Sequence, residues 1–184
     1  MRAHFPLLLL LAAPAAAQEA AILPAALPAE AAEAILARPD RFADLAADLI
    51  HGHGQDGAIT REAIETTIAL DRAFFRTRAL RAFHESDLDG DGTLAPPELA
   101  ARAATLSAPA RARLMRQRDA ADADADGTLA PPELRAFAEA EVARASRPQD
   151  EALLRAVASF DSDADGRTTL AELSRALGPL AAND

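Results

Sequence analysis

The sequence predicts an all-α protein built from helix–loop–helix units, and three observations support this prediction. One acidic loop pattern recurs along the 184 residues. Between the loops, apolar residues return every three or four positions, which is the spacing of an amphipathic helix. Hydrophobic residues make up 50% of the chain, and Ala, which favours helix, dominates them.

The recurring pattern has Asp at positions 1, 3 and 5, Gly at position 6 and Glu at position 12. It starts at Asp87, Asp122 and Asp161, and the three segments are called loop 2 (87–98), loop 3 (122–133) and loop 4 (161–172). Alternate carboxylates point to one side of a tightening loop, and Gly permits the positive φ that turns the chain back. Such carboxylates repel one another unless a cation lies among them. A solvated acidic surface is the alternative, but three regularly spaced copies favour a metal site.

The donor atoms of this pattern indicate which metal it suits. The carbonyl at position 7 faces inward, and Glu at position 12 can bind through both oxygens. Six to eight hard oxygen ligands suit Ca²⁺ far better than Zn²⁺ or Cu²⁺. Mg²⁺ fits less well, because a bidentate Glu supplies too many protein oxygens for its small octahedral shell.

The three loops closely resemble those of the EF-hand calcium-binding family. The resemblance implies an all-α fold of four helix–loop–helix hands in two pairs, with about three bound Ca²⁺ ions. The family places an aliphatic residue at position 8, where paired loops form a short β-bridge; Leu94 and Leu129 match this pattern and Thr168 does not. Ala95 and Ala130 at position 9 offer no side-chain oxygen, so water fills that coordination point. Residue by residue, the implied ligands are Asp87, Asp89, Asp91, the Thr93 carbonyl and Glu98 in loop 2; Asp122, Asp124, Asp126, the Thr128 carbonyl and Glu133 in loop 3; and Asp161, Asp163, Asp165, the Arg167 carbonyl and Glu172 in loop 4.

A fourth, broken copy of the pattern precedes the others. Counting 35 residues back from the start of loop 2 gives segment 52–63, called loop 1, in which Asp56, Gly57 and Ile59 occupy positions 5, 6 and 8. Positions 1 and 3 are Gly, so we expect a degenerate hand that pairs with its neighbour and binds no Ca²⁺. His51 and His53 suggest a transition-metal site as an alternative, but such sites normally need three or four protein ligands.

Helices are expected on both sides of each loop. Asp40 is a candidate cap for the helix that enters loop 1. The paired prolines after loops 2 and 3 suit the first turn of a helix, because the first helical N–H groups lack partners anyway. The predicted segments are helices over 29–37, 60–70, 72–85 and 111–119, a linker over 146–149, and a last helix that stops at Gly178–Pro179. The expected core residues are Phe42, Leu45, Leu49, Ile50, Ile64, Ile68, Leu80, Phe83, Leu114, Met115, Leu134, Phe137, Leu153, Val157, Phe160, Leu173 and Leu177.

The first 17 residues have the features of a cleavable signal peptide. A short polar start precedes an apolar run that includes Leu7–Leu11, and the small residues Ala15–Ala17 stand where a peptidase would cut, before Gln18. An uncleaved membrane anchor is the alternative, but the apolar run is too short to span a bilayer. We therefore expect a periplasmic or secreted protein without a membrane span in its mature chain. The expected division is signal peptide (1–17), leader (18–39), first EF-hand pair (40–105) and second pair (106–184).

The amino-acid composition limits the kinds of partner and the stability that we expect for this chain. The chain has no Cys, so no disulfide supports the fold, and its net charge is −10. Without a basic face to neutralise phosphates, nucleic acid is not expected to bind. Large apolar residues are few, so the core is expected to be thin and marginally stable without metal.

Three binding roles follow, and no catalytic constellation is visible, so the chain is not expected to be an enzyme. The first role is a Ca²⁺ buffer or Ca²⁺-stabilised binding module of the cell envelope. The second is a sensor that exposes an apolar groove to an unidentified protein partner, although sensor grooves are Met-rich and Met115 is the only Met beyond the signal peptide. The third is a lanthanide binder; the lanthanide-selective family carries Pro at position 2 and an acid at position 9, and these loops have neither.

Overall fold

The computed structural model describes residues 23–181, which are mostly helical with little strand, as predicted. Two short strands pair into one small sheet, and a 3₁₀ turn follows the seventh helix. The elements are α1 (Ala29–Ala37), α2 (Pro39–His53), β1 (Ala58–Thr60), α3 (Arg61–His84), α4 (Pro96–Ala104), α5 (Ala108–Ala121), α6 (Pro131–Ala145), α7 (Pro148–Val157), the 3₁₀ turn (Ala158–Phe160), β2 (Arg167–Thr169) and α8 (Leu170–Ala181). The predicted signal peptide (1–17), the first five residues of the leader (18–22) and residues 182–184 lie outside the described residues.

Several helix ends follow the local sequence. Helices α4 and α6 begin at Pro96 and Pro131, as predicted, because proline sets the helical φ and has no N–H to leave unpaired. Thr60 caps α3 by accepting a hydrogen bond from the backbone N–H of Ala63 at 3.1 Å. Other predicted ends are wrong: α5 begins at Ala108 instead of residue 111, and α7 begins at Pro148, inside the predicted linker 146–149. Helix α2 begins at Pro39 with no side-chain cap, so Asp40 lies inside its first turn, and Pro179 lies inside α8 instead of ending it.

Helix α3 is the largest departure from the predicted elements. Segments 60–70 and 72–85 form one continuous helix of 24 residues instead of two. At 1.5 Å per residue, α3 is about 36 Å long. Loops 1 and 2 therefore lie at opposite ends of α3, too far apart for their residues to contact each other.

The β-bridges consequently join different loops from those expected. Ile59 in β1 lies opposite Thr168 in antiparallel β2, which joins loop 1 to loop 4. An isolated bridge between Leu94 and Leu129 joins loop 2 to loop 3. The sequence-based grouping of loop 1 with loop 2 and of loop 3 with loop 4 is thus not the pairing that forms, because the length of α3 separates the first two loops.

Thr168 forms the bridge despite departing from the aliphatic pattern. Its side chain is buried, and its hydroxyl donates a hydrogen bond to the carbonyl of Val157 at 3.2 Å. The hydroxyl therefore has a partner in the interior, and the methyl group fills the place of a larger aliphatic side chain.

Two hydrophobic clusters follow from this nested pairing. The outer core contains Phe42, Ile64, Val157 and Leu177 and draws on both ends of the described chain, from α1, α2 and the start of α3 to α7 and α8. The inner core, which includes Phe83 and Phe137, is built from the end of α3, α4, α5 and α6. Of the expected core residues, most are buried, and Leu45, Leu80, Met115 and Leu153 pack at the edges.

Ion pairs connect α3 to the helices beside it. Arg72 donates from Nε and Nη2 to the two carboxylate oxygens of Glu151 on α7, at 2.8 and 2.7 Å. Arg155, also on α7, makes the same two-pronged contact with Glu65 on α3 at 2.8 and 3.0 Å. Helix α3 contributes residues to both hydrophobic cores. These ion pairs therefore attach α7, which packs in the outer core, to the helix that also forms part of the inner core.

Among residues 23–181, no helix is both long enough and apolar enough to cross a membrane.

Candidate metal sites

Each acidic loop brings three carboxylates together. In loops 2, 3 and 4, one ligand-capable oxygen from each of positions 1, 3 and 12 lies within 4.8 Å of the other two. The three groups are Asp87, Asp89 and Glu98; Asp122, Asp124 and Glu133; and Asp161, Asp163 and Glu172. Three of the five residues predicted as ligands in each loop therefore lie close together.

The glutamate at position 12 is held by the loop backbone in the same way each time. One of its oxygens accepts the N–H of position 2, and the other accepts the N–H of position 9. The position 2 donors are Leu88, Ala123 and Ser162, at 2.8, 2.8 and 2.7 Å. The position 9 donors are Ala95, Ala130 and Thr169, each at 2.9 Å. The glutamate thus ties the start of each loop to the start of the following helix, a role that the ligand pattern does not reveal.

These hydrogen bonds favour the ionised glutamates. The N–H of Ala95, followed by that of Leu88, lowers the pKa of Glu98. The N–H groups of Ala130 and Ala123 lower the pKa of Glu133 in the same order. These hydrogen bonds therefore favour the ionised carboxylate, which is the form that binds a cation.

Loop 4 holds its glutamate most firmly. Glu172 is buried, and burial alone would raise its pKa, but the N–H groups and hydroxyls of Ser162 and Thr169 outweigh burial and bring the pKa to about 2. The Ser162 hydroxyl donates at 2.9 Å and the Thr169 hydroxyl at 2.8 Å. Oxygen-bearing side chains at positions 2 and 9, where loops 2 and 3 have Leu or Ala, were the sequence signal for this difference.

The aspartates at position 5 stand apart from the three clusters. Asp91, Asp126 and Asp165 each accept the backbone N–H of position 7 two residues later, at 2.7, 2.7 and 2.8 Å. That N–H belongs to the residue whose carbonyl is the implied position 7 ligand. The position 5 side chain therefore shapes the backbone that presents this carbonyl.

The aspartates at position 1 differ in one respect. Both oxygens of Asp87 accept backbone N–H groups, from Gly90 and Gly92. In Asp122, Oδ2 accepts the N–H of Gly127 at 3.1 Å, whereas Oδ1 is buried and has no hydrogen-bond partner in the described part of the chain. A buried charged oxygen without a partner is costly, so loop 3 has an anionic position that a cation would satisfy.

Position 4 is a feature that the ligand pattern missed. Its residues are Gly90, Ala125 and Ala164, and all three have positive φ, at 75°, 61° and 59°. Loop 2 places Gly there, whereas loops 3 and 4 hold Ala in the left-handed region. That conformation costs an L-residue about 1–2 kcal/mol.

Loop 1 has a different backbone. Helix α2 continues through His53, so the residues at positions 1 and 2 are helical instead of facing a cation. A tight turn follows, with Asp56 and Gly57 at φ 53° and 73° between the bridged residues Gln55 and Ala58. A side chain on Gly54 would lie 2.4 Å from two carbonyl oxygens, so only Gly fits there. The metal-compatible clusters found among the described residues include neither the His pair nor any other group of loop 1.

Loop 1 instead supports loop 4. Besides the strand pairing, the guanidinium of Arg167 donates to the carbonyl of Gln55 at 2.7 Å. Arg167 is the position 7 residue of loop 4, so its carbonyl belongs to the candidate site. Its side chain meanwhile forms a hydrogen bond to the turn of loop 1.

The donor set fits a hard divalent cation. Three carboxylates converge in each loop, the ionised form of the glutamate is favoured in each, and one buried aspartate oxygen has no hydrogen-bond partner among residues 23–181. Oxygen-only sets of this kind suit Ca²⁺ better than metals that prefer nitrogen or sulfur. When bound, such an ion would supply positive charge that offsets carboxylate repulsion. Comparison of the chain with models of known protein families, with characterised proteins and with solved structures finds no match.

Proposed function

We propose that this chain is an exported EF-hand-type protein that binds three Ca²⁺ ions, one in each of loops 2, 3 and 4, as a buffer or Ca²⁺-stabilised binding module. The observation that carries the proposal is the convergence of three carboxylates within 4.8 Å in each of these loops. Acidic side chains that meet this closely destabilise the fold unless an ion or protons neutralise them. Protons are a poor substitute, because hydrogen bonds lower the pKa of the three glutamates.

Charge supports a role in binding ions. The twelve carboxylates at positions 1, 3, 5 and 12 of the three loops exceed the net charge of −10, so the sites account for the acidity of the chain. Three Ca²⁺ ions would add six positive charges and leave a mildly acidic protein. Ca²⁺ binding should then appear as folding energy, because the ions bind the folded loops and not the unfolded chain.

Export is the second part of the proposal and rests on the sequence. A polar start, an apolar run and small residues before Gln18 have the form of a secretory signal. N-terminal sequencing of the mature protein recovered from the periplasm or the medium tests this, and a chain that begins at Gln18 is expected. Recovery of an unprocessed chain from the cytoplasm would contradict it.

The binding proposal is tested by calorimetric titration of the metal-free protein with Ca²⁺. Calorimetry is suited to a chain without Trp or Tyr as intrinsic fluorophores. We expect three equivalents for the wild type and two for each of Glu98→Gln, Glu133→Gln and Glu172→Gln. Each substitution removes a charge and the bidentate carboxylate, and should weaken its site at least about tenfold.

Glu62→Gln is the matched control. Glu62 is an exposed glutamate of loop 1, one residue short of position 12, so its loss should leave three equivalents. Full Ca²⁺ binding by all three loop variants would show that the sites are wrongly assigned. A preference for La³⁺ over Ca²⁺ of several orders of magnitude would favour the lanthanide alternative instead.

A dye that reports exposed apolar surface separates the buffer from the sensor. A buffer should bind its three ions without a new dye signal, because both hydrophobic cores are already closed. A large dye signal that appears only with Ca²⁺ would indicate a sensor that opens a groove.

A further inference from the structure

The middle of α3 has one face that no other described element covers. The helix packs against α2, β1, α6 and α7, and its ion pairs to α7 leave from one side. Next to that side, and facing away from the buried Ile64 and Ile68, six uncharged residues are exposed: Thr66, Ala69, Leu70, Ala73, Phe74 and Thr77. At 100° per residue they cover one continuous face over about three turns. This set is called the α3 face.

Two large apolar side chains lie on the α3 face. Leu70 is 61% exposed and Phe74 is 60% exposed, and they are one helical turn apart. Single exposed apolar residues are normal on a protein surface. Two neighbours, bordered on one flank by Asp71 and Arg78 and elsewhere by small, uncharged side chains, form a patch, and patches of this kind mark contact surfaces.

The side chains along the α3 face have sizes that complement those on a second copy of the same face. A second α3 that runs antiparallel, with a two-fold axis between Ala73 and Phe74, places Leu70 of one copy opposite Thr77 of the other. The same axis places Phe74 opposite Ala73. Each large side chain then meets a small one, as the packing of helices at about 8–10 Å requires.

The charges beside the α3 face are self-complementary as well. Asp71 and Arg78 are exposed, lie on the same flank and are separated by two turns. Among residues 23–181 neither of them takes part in an ion pair. In an antiparallel pair of helices the same flanks face each other, so Asp71 of each copy lies within reach of Arg78 of the other.

We propose that two copies of this chain associate through their α3 faces, antiparallel and about a two-fold axis near Ala73. The proposal does not depend on metal binding. A chain with net charge −10 repels its own copies over most of its surface, whereas the α3 face is neutral and its flank carries one charge of each sign. One helix face buries little area, so the dimer is weak, with a Kd in the micromolar range.

Sedimentation equilibrium of the full chain should show a reversible monomer–dimer equilibrium. Phe74→Asp should raise the dimer Kd about tenfold or more. The matched control is Leu36→Asp, which places the same charge at an apolar residue that is 53% exposed on α1, and it should leave the Kd unchanged. A wild-type chain that stays monomeric at about 1 mM, well above a micromolar Kd, would overturn the proposal.

Exchanging the charges of Asp71 and Arg78 tests whether the partner of the α3 face is a second copy of this chain. Asp71→Arg and Arg78→Asp each replace two attractions with two repulsions across the dimer and should raise the Kd about fivefold. The double variant Asp71→Arg with Arg78→Asp restores opposite charges and should restore the Kd. Failure of the double variant to recover would contradict the antiparallel arrangement.

Crosslinking locates the axis, since the chain has no Cys of its own. Ala73→Cys places two thiols across the axis, within the Cα separation of roughly 4–7 Å that a disulfide needs. Thr66→Cys lies about 11 Å along the helix from the axis, so its two copies are about 22 Å apart. Oxidation should crosslink the first variant and not the second; equal crosslinking of both would rule out the proposed axis.

Discussion

Ile59 and Thr168 face each other across two antiparallel strands, and through them the degenerate first loop pairs with the last loop of the chain. Both side chains are buried, at 1% exposure each. This contact encloses the inner pair of loops, 2 and 3, within an outer pair, 1 and 4. The outer pair therefore needs both ends of the described chain, whereas the inner pair is continuous in sequence.

The nested arrangement predicts which fragment folds alone. Residues 61–145 contain α3 to α6 and all of the inner core, so this fragment should unfold cooperatively and bind two Ca²⁺ ions. Residues 40–105, the pair expected from sequence, lack the partners of β1 and should remain largely unfolded. Circular dichroism with thermal melting checks both fragments. A cooperative transition in 40–105 and none in 61–145 would show that consecutive loops pair after all.

Replacing Arg72 should weaken the attachment of α7 to α3. Arg72→Ala removes two hydrogen bonds from Glu151, whose side chain is only 11% exposed, while the arginine itself is half exposed. We expect a loss of about 1–2 kcal/mol in the free energy of unfolding, less than for a fully buried pair because solvent screens the arginine. Urea unfolding measures this loss.

The control for this prediction lies on the same helix. Arg76 pairs with Glu139 on α6 at 2.7 Å, and both side chains are exposed. Arg76→Ala should therefore cost less than about 0.5 kcal/mol. Equal losses for the two variants would mean that the burial of Glu151 does not matter.

The metal-free protein should lose stability in acid through Glu172. Its pKa is about 2 in the folded protein against 4.5 for an ordinary Glu. Its contribution is therefore complete above pH 4.5 and disappears as the pH falls towards 2, by an amount of the order of 3 kcal/mol. Urea unfolding with a chelator between pH 6 and pH 2 measures the slope, and Glu172→Gln should flatten it. Glu139→Gln, at an exposed glutamate, should change the slope less.

Ala125→Gly should stabilise the protein with or without metal. Ala125 has φ 61° at position 4 of loop 3, where loop 2 has Gly90 at 75°. Relief of the left-handed strain outweighs the added entropy of Gly in the unfolded chain, for a net gain of about 0.5–1 kcal/mol. Thermal melting checks the gain. Ala123→Gly, two residues earlier and without a positive φ, should destabilise instead; the same sign for both variants would contradict the strain argument.

The sequence predicted the helical class and the loop carboxylates that lie together, but not which loops pair. Positions 1, 3 and 12 of each loop converge because their spacing is local: a turn of twelve residues brings them together whatever surrounds it. The same local logic located most core residues and the prolines that begin α4 and α6. It missed the backbone partners of the glutamates and the left-handed Ala125, because a ligand pattern records side chains and not the N–H groups and φ values beneath them.

What the sequence by itself determined is therefore local: amphipathic helices, acidic loops, and a first loop that lacks the ligand set. Tertiary structure alone decided which loops pair, because Ile59 and Thr168 are distant in sequence and either pairing satisfies the pattern. The deciding factor is physical length. Once residues 61–84 form one unbroken rod, loop 1 cannot reach loop 2 and pairs with loop 4. The same helix leaves Leu70 and Phe74 exposed on the face through which we propose that two copies associate.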